Sequence, residues 1–157
     1  MEPFTWSPER RLTWPDFQGP PDLGSRAVAM TAYAISLSTE CADGILVSRV
    51  TSTFLPQSSW VKSAYIVNRR AETTLRHEQG HFDLSEVVAR RLRAELRKLR
   101  SPCGENDEVR RAVYVKYQKD DADTQRRYDR ETGYGTDARL QQIWESRIQS
   151  WLKRLPE

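Results

Sequence analysis

The spacing of apolar and polar residues changes twice along the chain. In Tyr33-Ala34-Ile35-Ser36-Leu37-Ser38 the larger apolar side chains alternate with small or polar ones, the period of a half-buried strand. Ala42-Asp43-Gly44 supplies a tight turn, because Gly accepts positive φ. Ile45 to Leu55 reads as a returning strand stopped by Pro56, and a short third strand is expected within Trp60 to Val67. From about Arg70 the spacing becomes helical. Residues 71–100 hold no Gly or Pro except Gly80, and Ser101-Pro102-Cys103-Gly104 ends the run. Asn106 or Asp107 can cap a second helix reaching about Tyr128, and Gly133 and Gly135 mark a loop. Thr136 or Asp137 can cap a third helix. Its stripe is Leu140, Ile143, Trp144, Ile148, Trp151, Leu152 and Leu155. Before all of this, Pro3, Pro8, Pro15, Pro20 and Pro21 lie among Trp6, Trp14 and Phe17, which predicts an extended, aromatic-pinned entry segment. The expected fold is α+β: a small N-terminal antiparallel sheet followed by three helices, within a single domain over 1–157. Residues 1–68 form the entry segment and sheet, and 69–157 the helical part.

At 157 residues, with 38% apolar and 30% charged, the chain can bury one real core. It has no apolar run long enough for a membrane span. Two cysteines, Cys41 and Cys103, exclude a disulfide-dense scaffold and a four-cysteine zinc module, but leave room for one bridge. The formal net charge of +3 comes entirely from residues 69–100, since 1–68 sum to −1 and 101–157 to 0. That basic helix is expected to be a solvated face. Its Arg90, Arg93, Arg97 and Arg100 have no interleaved aromatics for stacking bases, so no nucleic-acid partner is expected. Met1-Glu2-Pro3-Phe4 carries no export signal. A native Met1 would place the protein in the cytoplasm, and a removed signal in the periplasm or outside the cell.

The chemistry concentrates in Leu75-Arg76-His77-Glu78-Gln79-Gly80-His81-Phe82-Asp83, a His-Glu-x-x-His pattern on a predicted helix. Two imidazoles four residues apart lie one turn apart on one face and can share a Zn²⁺ ion. The intervening Glu78 lies beside that face, placed to act on water without being a ligand. The chain has only two histidines, and both are here. The chance of that arrangement is on the order of 1 in 1,000. By helix phase the histidines continue the stripe of Val88, Leu92, Leu96 and Leu99, so they look inward. Glu86 falls instead on the face of Arg90, Arg93 and Arg97, which predicts a weak surface pair with Arg90. The third ligand must come from elsewhere: a carboxylate, a tyrosine or a cysteine. Tyr128-Asp129-Arg130-Glu131-Thr132-Gly133-Tyr134-Gly135 is the richest source.

Three stretches resemble a bacterial family catalogued as a domain of unknown function and read as zinc-dependent proteases. They are Arg11-Leu12-Thr13-Trp14-Pro15-Asp16-Phe17-Gln18-Gly19, His77 to Leu84 and Tyr128 to Thr132, followed by Gln142 and Trp144. The resemblance implies a zincin-like fold with the histidine pair on the first long helix, a peptide or protein substrate and, often, export. The family usually has His where this chain has Tyr134. Glu131-x-x-Tyr134-Gly135 is also similar to the Asp-x-x-Tyr-Gly element of aspzincin proteases, in which the acid binds zinc and the Tyr assists catalysis. That similarity makes Glu131 the first choice for third ligand, with Asp129 close behind. The resulting expectation is a zinc metallopeptidase. His77, His81 and Glu131 or Asp129 hold the metal, Glu78 is the general base and Tyr134 the oxyanion donor. The alternative is a binding module that keeps the fold without turnover.

Overall fold

In a computed structural model describing residues 1–105 and 107–157, the chain forms a sheet layer packed on three helices. The strands are β1 (Phe4–Thr5), β2 (Ala29–Met30), β3 (Tyr33–Ala42), β4 (Ile45–Phe54) and β5 (Trp60–Val61). The helices are α1 (Ala71–Leu96), α2 (Glu108–Thr132) and α3 (Ala138–Arg154). The class is α+β, as the residue pattern predicts.

The β3–β4 hairpin turns at Asp43-Gly44, both with positive φ, and its register pairs Ala42 with Ile45 and Tyr33 with Phe54. β1 adds to the outside of β4, giving the order β1-β4-β3, while β2 and β5 form a separate antiparallel pair. The third strand is shorter than expected: β5 ends at Val61, and Ser63–Tyr65 is a 3-10 turn. The outer edge of β3 is closed beside Ile35, whose carbonyl accepts a hydrogen bond from Tyr114 Oη of α2 (2.6 Å). The entry segment holds no α-helix: it turns at Pro8-Glu9 and Leu23-Gly24 and forms a 3-10 turn at Trp14–Asp16. It is tied to α1 by Leu12 N–H donating to Gln79 (2.7 Å), and by Trp6 Nε1 (2.9 Å) and Arg11 (3.1 Å) donating to Asp83. Gln79 and Asp83 thus hold the entry segment from within the same helical stretch that carries the histidines.

Helix α3 starts where Asp137 Oδ1 accepts from Leu140 N–H (2.9 Å). The Asn106 alternative for capping α2 lies outside the described residues, and Asp107 stands at the N-cap without a side-chain capping bond. On α3, Trp144, Ile148 and Leu152 are buried against Leu84, Val87 and Tyr128, while Ile143 is exposed and leaves the predicted stripe. The Cys41 and Cys103 sulfurs are bonded, tying the hairpin tip to the α1–α2 connection across a separation of 62 residues. Arg110, 1% exposed, fixes the same corner through Ser48, Ser101 and the carbonyls of Leu46 and Leu99.

The expected solvated face of α1 is the largest departure. Glu86 and Arg90 are 4% and 5% exposed. Glu86 accepts from Arg90 (2.9 Å) and Arg93 (2.7 Å), and Arg90 also donates to the carbonyls of Leu152 and Leu155. The predicted weak surface pair is a buried, fully bonded cluster. Sheet, α2, α3 and entry segment surround α1, so even its polar face is covered. Arg90 and Arg93 are thus committed to internal bonds, and Arg97, just past the end of α1, donates to the Glu157 carbonyl (2.6 Å). No helix among the described residues is long and apolar enough to cross a membrane.

Candidate metal centre

His77 and His81 project from the first half of α1 toward the end of α2. Their Nε2 atoms are 3.2 Å apart, and Asp129 Oδ1 lies 3.1 Å from the first and 3.0 Å from the second. These are the one group of metal-ligating side chains brought together among the described residues. The donor set suits zinc: two imidazoles and one carboxylate, with spacings close to the ligand–ligand edge of about 3.3 Å in a tetrahedral site with 2.0–2.1 Å bonds. The side chains of His77, His81 and Asp129 are 5%, 15% and 29% exposed, so the donors open on the Asp129 side.

Of the two candidate carboxylates, Asp129 and not Glu131 is brought beside the histidines. Glu131 turns away from the histidines and accepts from Arg127 (2.6 Å) and from Trp144 Nε1 (2.9 Å). The Arg127 hydrogen bond holds its carboxyl below the usual range. Tyr134 does not reach the donors either. It is 73% exposed at a φ of 55° and makes no side-chain hydrogen bond among the described residues. Its loop nevertheless shapes the site, because Gly135 lies against His77: a Cβ there would fall 2.8 Å from His77 Cβ and Cγ.

Glu78 is 4% exposed, and its Oε2 accepts from Thr31 Oγ1 (2.7 Å) in the β2–β3 connection. In the metal-free site, burial is the strongest single influence on His81 and pulls its pKa down. The hydrogen bond to Asp129, the charges of Glu78 and Asp129, and Gln125 together push it up to about 9. Burial likewise pushes Asp129 up, but the two imidazoles outweigh it and hold the carboxyl far below its ordinary value.

Several residues that orient the histidines escape a reading of the sequence. Gln141 Oε1 faces His77 Nδ1 (3.1 Å) and Gln125 Oε1 faces His81 Nδ1 (2.6 Å). The Tyr128 ring stacks on His77, with centroids 4.7 Å apart, and meets His81 edge-on at 5.0 Å. Tyr128 Oη donates to the His77 carbonyl (3.1 Å) and accepts from Gln141 (2.8 Å). The glutamine at the site is thus Gln141, while its neighbour Gln142 is exposed. One signal was available: Gln141 sits three residues before Trp144 and seven before Ile148, a polar residue on an apolar stripe. Thr31 has no comparable signal.

Fold and site together define an α+β protein whose first long helix presents an acid-flanked histidine pair to a carboxylate from the next helix. The chain belongs to a bacterial protein family of unknown function, DUF922, whose model matches residues 13–135. No curated protein and no solved structure matches it.

Proposed function

We propose that this protein is a zinc-dependent peptidase of zincin type. The observation that carries the reading is the convergence of His77 Nε2, His81 Nε2 and Asp129 Oδ1 within 3.0–3.2 Å, with Glu78 in the same helical turn. Zinc held by these three donors supplies Lewis acidity and lowers the pKa of water to about 7. Glu78 takes the proton of the attacking water and delivers it to the leaving amine, and Thr31 keeps its carboxylate aimed. In the metal-free fold both imidazoles hold Asp129 in its charged form, the form in which a carboxylate ligates a metal. The phenol of Tyr134 lies on the loop that touches His77. To stabilise an oxyanion it must fold inward from its exposed position.

That exposure also favours the second reading, a binding module with a structural metal. One set of proteins separates the two. Purified, never-chelated protein should carry about one zinc per chain. Asp129→Ala should lose the metal, and Glu131→Ala and Glu78→Gln should keep it. Glu78→Gln should abolish cleavage of a peptide library. Zinc retained by Asp129→Ala would overturn the ligand set. A zinc-loaded wild type that cleaves nothing would leave the binding module.

A further inference from the structure

Helices α1 and α3 meet along a seam that carries an open groove. One depression, of about 680 Å³, follows α3 past Gln142, Ser146, Gln149, Ser150, Lys153 and Arg154, with Arg76 and Glu145 bridging it to α1. A second, of about 440 Å³, continues from the same Arg76, Glu145 and Gln149 to Gly80, Asp83 and Arg11. The shared residues make the two a single groove. Its α3 side lies beyond residue 135, outside the stretch matched by the family model. Residues 155–157 do not cover it, because the carbonyls of Leu155 and Glu157 are bonded to Arg90 and Arg97 on the other side of α1.

The two carboxylates of the groove are saturated. Asp83 accepts from Trp6, Arg11, Gln79 and Gln149, and Glu145 accepts twice from Arg76 and once from Gln141. The cations are not. Among the described residues Lys153 has no polar partner, and the Arg154 guanidinium donates only to the Ser150 carbonyl (3.3 Å). Arg11 and Arg76 match the two acids, so Lys153 and Arg154 leave the groove with unmatched positive charge. Between the charges, Gln142, Ser146, Gln149 and Ser150 each offer a side chain able both to donate and to accept. An extended peptide backbone presents both kinds of group along its length, whereas a phosphodiester backbone presents acceptors alone. Among the described residues no aromatic side chain lines the groove, so bases have no stacking platform. Ile148 is buried and gives apolar side chains no anchor. From Gln142 to Lys153 the helix rises about 17 Å, the length of about five extended residues.

We propose that this groove docks an extended acidic peptide segment, and that in the peptidase it holds such a segment of the substrate away from the bond cleaved. The second half rests on the peptidase reading; the docking itself does not. His77 Nδ1 faces the groove through Gln141 and Glu145, and its Nε2 faces Asp129. The docked stretch and the cleaved bond therefore lie on opposite sides of that ring, and several residues must separate them in one substrate.

The test follows the fluorescence anisotropy of a labelled octapeptide of alternating Asp and Ser on whole Glu78→Gln protein, in which nothing is cleaved. Binding should saturate and should weaken steeply as salt rises from about 0.05 to 0.5 M. Octapeptides of Lys and Ser, or of Gly and Ser, should not bind. Adding Lys153→Gln with Arg154→Gln should weaken binding about tenfold. Ser146→Trp fills the middle of the groove at constant charge and should weaken it as much. Arg111→Gln with Lys119→Gln removes the same charge from an exposed face of α2 and should change affinity less than about twofold. An equal loss in that control would reduce the attraction to net charge and overturn the docking site, as would the absence of saturable binding. A single-stranded oligonucleotide held more tightly by the same residues would overturn the peptide assignment. In zinc-loaded protein with Glu78 in place, Lys153→Gln with Arg154→Gln should raise KM about tenfold and leave kcat unchanged, only for substrates with an acidic stretch several residues from the cleaved bond. Cleavage with KM unchanged would overturn the role in substrate capture. Docking by a zinc-loaded wild type that cleaves nothing would instead overturn the peptidase reading and leave the groove standing.

Discussion

Gly80 lies in the interior of α1, where replacing Gly with Ala ordinarily stabilises a helix by about 0.8–1.0 kcal/mol. The structure reverses the sign. A Cβ at this position would fall on Tyr128 Oη and 2.7 Å from Tyr128 Cζ. Tyr128 cannot step aside freely: its ring is fully buried between His77 and Trp144, and Oη is bonded to Gln141 and to the His77 carbonyl. Displacing it strains both hydrogen bonds, worth about 1 kcal/mol each, and overpacking a filled core costs about 1–3 kcal/mol more. Against the propensity gain, Gly80→Ala should be destabilised by about 2 kcal/mol, which for a domain of this size lowers Tm by about 4–8 °C. Urea unfolding of the metal-free, disulfide-intact protein measures the first quantity. Zinc competition should show affinity lowered at least about tenfold, because Gln141 and the stacked His77 move with the ring. Adding Tyr128→Phe removes the nearest atom and should recover part of the loss, giving a favourable coupling in the double-mutant cycle. A Gly80→Ala protein about 1 kcal/mol more stable than wild type, with unchanged zinc affinity, would refute the close approach of α2 to α1 on which the site geometry depends.

Other expectations concern charge, covalent ties and protons. Glu86→Ala leaves Arg90 and Arg93 without their shared carboxylate in a buried setting, and should cost about 3–5 kcal/mol by urea unfolding, against well under 1 for a surface pair. Replacing Cys41 and Cys103 by Ser frees a loop of 62 residues in the unfolded chain, which chain-entropy reasoning values at about 4 kcal/mol. A loss below about 1 kcal/mol would mean that Arg110 and the Leu46–Ser101 backbone bond hold that corner unaided. His81, with its pKa raised to about 9, is protonated at neutral pH in the metal-free fold, so zinc uptake must expel that proton. Apparent zinc affinity should fall about tenfold per unit as pH drops below 9, and calorimetry in buffers of different ionisation enthalpy should count at least about one proton released at pH 7. Proton-independent binding would place the metal elsewhere.

How much the sequence determined depends on the range of the interaction. Strand alternation, the Asp43-Gly44 turn and the helical stripe of α3 are local patterns, and the elements they predict are present. The pairing of His77 with His81 is equally local, since helix geometry alone puts residues four apart on one face. The third partner is not local. Asp129 and Glu131 are both carboxylates at the end of α2, but two residues on a helix are about 200° apart, so one faces α1 and the other faces α3. Which one does so depends on how α2 rolls onto its neighbours, and no pattern within the segment states it. The same holds for Gln125, Gln141 and Thr31, whose roles exist only once α2, α3 and the β2–β3 connection converge on α1. Glu86 and Arg90 make the point from the other side. Their charges signalled solvent, and a cluster of charges that bond one another can be buried once every face of a helix is covered. The sequence by itself determined the elements and the two imidazoles, because both follow from periodicity. Tertiary structure decided the carboxylate, the glutamines and the cover over α1, because those depend on the relative rotation of helices that only the packed core fixes.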